Sequence, residues 1–293
     1  MVSLVQSRAE QLAGALPPLL VAADRVAATV AQGVHGRRRV GQGETFWQFR
    51  QYMPGDAAQR IDWRESAKSQ RLYVRETEWE AAQSVWLWRD TSPSMDYASS
   101  AALPTKRARA DLLLLALVAL LVRGGERATL LGSGMPPLSG RVALNRIATM
   151  VDRPPAATLN DGLPGSQTAL PRYAQVVLIG DFLSPVGEAQ AALSRIAATG
   201  VHGHVLQVLD PAEEDLPFDG RVRFEGMEND DSVLISRVES VREEYTTRLE
   251  AHRAALRNLT RGLGWSFLTH RTDRPPHTAL LGLYNALADQ RGK

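Results

Sequence analysis

The chain has 293 residues, 44% hydrophobic and 23% charged, an ordinary globular composition with room for one large α/β domain and an appendage. Its 34 basic and 32 acidic residues leave a net charge of +2, too even a balance for a dedicated nucleic-acid binder, and the absence of cysteine excludes disulfides and thiolate metal sites. The N-terminus MVSLVQSRAEQLAG lacks the basic start and apolar core of a signal peptide, and the longest apolar run, Leu112–Val122, falls short of the roughly 20 residues that span a bilayer, so a soluble cytoplasmic protein is expected.

Residues 3–31 are alanine-rich and helical in pattern, interrupted at Pro17-Pro18. GVHGRRRVGQG (33–43) reads as a solvated basic turn; contact of Arg37, Arg38 and Arg39 with an acidic partner or membrane phosphate is the alternative. In MPGDAAQRIDW (53–63), Pro54-Gly55 forms a turn pair. Asp62 is expected to pair with Arg60 or Arg64, and Trp63 to pack in the core. Asp56 and Asp62 are of the right type for an acid/base pair, but nothing places a substrate beside them. LYVRETEWE (72–80) alternates like a strand and is expected to pair with the strand ending at Asp90.

From residue 84 apolar strands and helices alternate. SVWLWRD (84–90) is a buried strand, 105–123 a helix, RATLLGS (127–133) a strand and 141–151 a helix. A Pro/Gly-rich loop (152–171) leads to the strand QVVLIGD (175–181), a helix over 188–199 and the strand VHGHVLQVLD (201–210). RVRFEG (221–226) is a short extra strand, 238–261 a long charged helix with a leucine stripe, WSFLTH (265–270) the last strand and 277–289 the closing helix. This rhythm predicts right-handed crossovers and a mostly parallel sheet covered by helices on both faces. Ligands of such sheets sit beyond the carboxyl ends of the strands, where Asp90 and Asp181 both fall. His202 and His204 have the spacing of two zinc ligands, but no third ligand accompanies them and a plain strand-end pair is expected. EGMENDDS (225–232) reads as a solvated acidic loop that could dock an arginine-rich ATPase surface. No GxxxxGK[ST] occurs, so the chain has no phosphate-binding P-loop of its own.

VWLWRDTSPSMDY (85–97) delivers one carboxylate and two hydroxyls to a strand end. Oxygens of this kind suit Mg²⁺, a hard ion that takes six of them and keeps several waters. A second reading makes Asp90 the nucleophile of a haloacid-dehalogenase-type phosphatase. Against it, Ser92 stands where the acid two residues later belongs, and no second acid follows Asp181. A third reading, a serine hydrolase, lacks the glycines of a nucleophile elbow and an obvious base. The bland reading is a turn capped by serines, with Asp90 paired to an arginine.

Asp90-Thr91-Ser92-Pro93-Ser94-Met95 resembles the metal-ion-dependent adhesion site of von Willebrand factor A domains. Upstream, GQGETFWQFRQYMPGDAAQRIDWRESAKSQRLYVRETEWE (41–80) resembles the hallmark block of the domain-of-unknown-function 58 family. The match runs through Glu44, Phe46, Arg50, Tyr52, Pro54-Gly55-Asp56, Arg60, Ile61-Asp62-Trp63, Ser66-Ala67-Lys68 and Val74-Arg75-Glu76. The resemblance implies a von Willebrand A-like (Rossmann-like) α/β fold, with residues 1–80 forming an N-terminal helix and hallmark segment and 81–293 the von Willebrand A-like domain.

It also implies a metal site for Mg²⁺ (or Mn²⁺) at Asp90, Ser92, Ser94 and Asp181, with Thr158 or Thr168 as the remaining ligand. Gly180 stands where relatives often carry a small hydroxyl residue. The implied function is a bacterial, non-enzymatic adaptor that grips a carboxylate on a MoxR-type AAA+ ATPase or on its client protein. A scaffold with a degenerate metal site is the alternative.

Overall fold

SVWLWR and QVVLIG are apolar on both faces, and strands of that kind need cover on both sides. The computed structural model of the chain describes residues 40–41, 45–53, 61–68, 71–78, 84–152, 162–165, 170–227 and 232–289. These fall into two compact units, the larger holding 84–289 and the smaller 40–78. The expected helix at 3–31, Arg37 to Arg39, the turn Pro54-Gly55-Asp56 and both candidate threonines, Thr158 and Thr168, lie outside the described residues.

In the smaller unit β1 (Val40–Gly41), β2 (Thr45–Gln51) and β3 (Tyr73–Glu78) form an antiparallel sheet in the order β1-β3-β2. A single turn of helix, α1 (Trp63–Ser66), lies between β2 and β3. Two expectations fail in this unit. First, β3 does not pair with the strand ending at Asp90: TFWQFRQ is itself a strand, and β3 has β1 on one edge and β2 on the other. Second, Trp63 is 66% exposed rather than packed in the core, because the helix it opens is too short to turn an apolar stripe inward. The Asp62 carboxylate caps that helix, accepting from the Glu65 amide at 2.9 Å. Ser66 ties the turn to β3, its hydroxyl donating to Asp62 O at 2.7 Å and accepting from Tyr73 N at 2.9 Å.

The larger unit is built on β4 (Ser84–Arg89), β5 (Arg127–Leu130), β6 (Gln175–Gly180), β7 (His202–Leu209) and β10 (Ser266–Arg271). They form one sheet in the order β10-β7-β6-β4-β5, parallel at every pairing. The helices are α2 (Lys106–Arg123), α3 (Gly140–Val151), α4 (Val186–Ala197), α5 (Pro211–Asp215), α6 (Arg242–Gly262) and α7 (Pro276–Asp289). A separate hairpin pairs β8 (Val222–Phe224) with β9 (Val233–Ile235). The fold is a Rossmann-like α/β arrangement, as the alternation of strands and helices predicts.

Side chains alternate across the sheet with the period of two that strand geometry dictates. Val85, Leu87, Val177, Ile179, Leu206 and Val208 face one core, which α2, α3 and α7 close. Trp86, Trp88, Val176, Leu178 and Val205 face the other, closed by α4 and α6. The α2 helix starts at Thr105, whose hydroxyl accepts from Ala108 N at 3.1 Å, and runs buried from Leu113 to Leu121. Gly203 separates the two strand histidines because a Cβ there would fall 1.9 Å from the Trp265 ring. His204 is fully buried, with Nδ1 2.9 Å from the Ser266 hydroxyl. From β4 the chain steps outward to β5, then returns across β4 to β6. That reversal opens the crevice beyond the carboxyl ends of β4 and β6.

Candidate functional site

Asp90 leaves β4 with its amide still held by the neighbouring strand, donating to Ile179 O at 2.8 Å. Its Oδ1 accepts from Ser92 N at 2.8 Å, the short-range bond that makes aspartate a turn former. Pro93 then opens one 3₁₀ turn, Pro93–Asp96, pinned by the fully buried Met95. The turn brings the Ser92 and Ser94 hydroxyls to 3.0 Å from each other. Ser94 Oγ donates to Asp181 Oδ2 at 2.7 Å, so the side chains of Ser92, Ser94 and Asp181 form one chain of hydrogen bonds, to which Asp90 is joined through the Ser92 amide. Asp90 and Ser92 are fully buried and Asp181 is 4% exposed.

The backbone at Asp181 and just after it is held in place. Phe182 has a positive φ of 49°, and its carbonyl accepts from His252 Nε2 at 2.7 Å. Gln207 donates to Asp181 O at 2.8 Å, and Arg253 donates to Gln207 Oε1 at 2.9 Å. Gly180 allows β6 to approach Asp90 closely. Gly162, in the loop after α3, also reaches the site: a Cβ there would lie 3.6 Å from Asp90 Oδ2 and 3.9 Å from Ser92 Oγ.

Two groups that sequence reasoning did not select complete the cluster. Lys106, the first residue of α2, is wholly buried. It donates to Asp181 Oδ2 at 2.8 Å and to Glu213 Oε1 at 2.6 Å. Glu213 is placed by the capping box of α5, in which its Oε2 accepts from Asp210 N at 2.8 Å while Asp210 Oδ1 accepts from Ala212 N at 2.8 Å. Asp210 also receives Ser99 N at 3.0 Å, so the acid ending β7 is employed in holding loops. Burial opposes the charge on Lys106, but Asp181 and Glu213 together outweigh it, and the ammonium titrates above its ordinary value. Burial raises Glu213, with Lys106 opposing the shift. Lys106 carried one signal in the sequence: it is one of only 3 lysines among the 34 basic residues.

The donor set, carboxylate and hydroxyl oxygens, is of the type a small hard cation takes. Oxygens bound to one Mg²⁺ at 2.0–2.1 Å sit about 3 Å apart at adjacent corners of an octahedron. Ser92 and Ser94 (3.0 Å) and Ser94 and Asp181 (2.7 Å) stand at hydrogen-bond distance, which is close to that edge. Among the described residues no group of three or more His, Cys, Asp or Glu stands together as a metal cage, so any ion here would depend on the hydroxyls. His202 and His204 form no such group either.

A family model described as "Protein of unknown function DUF58" matches residues 48–255. The uncharacterized protein Rv1480 of Mycobacterium tuberculosis H37Rv is 30% identical over 283 residues, covering 90% of this chain and 86% of its own length. The uncharacterized protein Mb1516 of Mycobacterium bovis matches to the same extent, at 30% over 283 residues. Among solved structures, an aerotolerance-related membrane protein from Bacteroides fragilis superposes with a TM-score of 0.43 at 16% identity, over 71% of this chain and 99% of that one. BatB from Bacteroides thetaiotaomicron gives 0.40 at 14% identity, over 72% and 100%. No helix among the described residues is long and apolar enough to cross a membrane.

Proposed function

The chain belongs to the DUF58 family, and from that premise we propose that it is a non-enzymatic protein-interaction module whose docking site is assembled around a divalent cation. One observation carries the reading: Asp90, Ser92, Ser94 and Asp181 meet in one hydrogen-bonded group beyond the carboxyl ends of β4 and β6. Asp90, Ser92, Ser94 and Asp181 would hold Mg²⁺ or Mn²⁺, in keeping with the likeness of Asp90–Met95 to a von Willebrand A adhesion site. Bound there, the ion would supply an open coordination position for a carboxylate from a partner. The chain's own part is positional. The buried Asp90 fixes the serine turn, and Gln207 and His252 fix the backbone at Asp181 and just after it.

The partner proposed is a MoxR-type AAA+ ATPase or its client protein, on the strength of the hallmark block at 41–80. An ATP-driven partner would put the encounter in the cytoplasm. Calorimetric titration with Mg²⁺ and Mn²⁺ is expected to give one saturable site, abolished in Asp90→Ala. Capture of the ATPase is expected to fall when chelator replaces magnesium. Silent titration together with chelator-insensitive capture would leave a scaffold with a dead metal site. Magnesium-dependent phosphatase turnover that disappears in Asp90→Asn would overturn the non-enzymatic reading.

A further inference from the structure

Asp181 Oδ2, a ligand oxygen in the metal reading, already takes two donors: the Ser94 hydroxyl at 2.7 Å and the Lys106 ammonium at 2.8 Å. Lysine is almost never fully buried unless it is paired, and burying one beside carboxylates is expensive in desolvation. Nothing in the helix explains a lysine there. Position 106 begins α2, the neighbouring basic positions 107 and 109 are arginine, and arginine outnumbers lysine 31 to 3 across the chain. An ammonium differs from a guanidinium in being a compact point charge with three donors, closer to a small metal ion in size and reach.

We propose that Lys106 is the resident cation of the site: its ammonium holds Asp181 and Glu213 together when no metal is present, and a divalent ion must displace it from Asp181 to complete its own shell. The proposal rests on the metal-docking reading and adds to it the residue that sets the ion's affinity. Charge supports the competition. Lys106 pairs with both Asp181 and Glu213, so its one positive charge is shared between two carboxylates. Removing Lys106 takes a positive charge from beside Asp181 and vacates a position on Oδ2, and both changes favour the metal. Lys106 is therefore an affinity-determining residue that keeps the site closed to weakly binding ions.

The test compares Mg²⁺ affinity, by calorimetry, in the wild type and in Lys106→Met. The variant is expected to bind at least about tenfold more tightly. Because loss of the ammonium leaves two acids facing each other, a second variant, Lys106→Met/Glu213→Gln, removes it with one of its acids, keeps the net charge of the wild type and is also expected to bind more tightly than wild type. A third measurement needs no variant. Acetylation of the folded wild-type protein, read by peptide mass, is expected to spare Lys106 without metal and to modify it several-fold faster at saturating Mg²⁺. Lys68 and Lys293 serve as internal references.

Equal or weaker binding by both variants, with Lys106 labelling unchanged while the wild type saturates, overturns the inference and leaves the metal reading intact. Silent titrations by all three proteins overturn both. A silent wild type beside a binding variant supports the inference outright.

Discussion

A Cβ on Gly180 would fall 2.9 Å from Asp90 Cβ, closer than real Cβ atoms approach, and a tight 3.2 Å from its Oδ2. The likeness to metal-dependent adhesion sites suggests a hydroxyl residue at this position, and Gly180→Ser looks on that basis like a repair. The packing predicts the opposite. Asp90 is fully buried and its amide is tied to Ile179 O at 2.8 Å, so the acid cannot retreat without breaking the sheet at its rim. Gly180→Ser is expected to lower stability by about 1–3 kcal/mol, the usual penalty of overpacking, and to weaken Mg²⁺ binding through a displaced Asp90. Urea unfolding checks the first effect and calorimetry the second; a wild-type midpoint would show that the rim yields more easily than its geometry suggests. Asp90, Ser92, Ser94 and Asp181 were legible because each stands at or just after the end of an apolar strand, where chain geometry alone fixes the direction. Lys106 and Glu213 were not, because a helix start and a one-turn helix are brought to the site only by tertiary packing. The scarcity of lysine was the trace they left.

The β4–α2–α3 junction is pinned by an ion pair that sequence pattern did not reveal. Arg89, the last residue of β4, lies 2.9 Å from Asp111 on α2 and donates to Val151 O, at the end of α3, at 2.7 Å. Burial dominates both ends of the pair: it raises Asp111 to about 6, against the pull of Arg89 and Arg107, and lowers Arg89. The folded-state value lies above the ordinary 3.8, so folding takes up a proton between the two. The stability this group contributes is then full below about pH 4 and is lost as pH rises through about 6, a span worth roughly 3 kcal/mol. Asp111→Asn is expected to flatten that slope in urea midpoints taken from pH 4 to 7; an unchanged slope would assign it to other groups. The strands and crossovers of this unit were legible from period-two and helical patterning. β2, β9 and α1 were missed because runs of three to seven residues carry too little periodicity to stand out. The pairing of β3 could not be read at all, since alternation says which face is buried and nothing about which neighbour is bonded.

Among the described residues, both apolar cores of the larger unit are drawn from 85–287, and every strand of the parallel sheet lies within 84–271. The candidate site obeys the same boundary: Asp90, Ser92, Ser94, Lys106, Asp181 and Glu213 all belong to this unit, as do the supporting Gln207, His252 and Arg253. A segment of about 200 residues buries enough surface to fold alone. A fragment spanning 84–290 is therefore expected to unfold in one cooperative urea transition and to keep the Mg²⁺ affinity of the full chain. The residues proposed to hold the ion all lie outside the hallmark block at 41–80, so removing the block separates two functions that the full chain confounds. If the block is a docking surface, the fragment binds the ion normally and fails to capture the ATPase. If the block buttresses the metal centre, ion affinity falls with its removal. That second outcome would show that the oxygen cluster, though closed by its own hydrogen bonds, takes its working shape from outside the sheet.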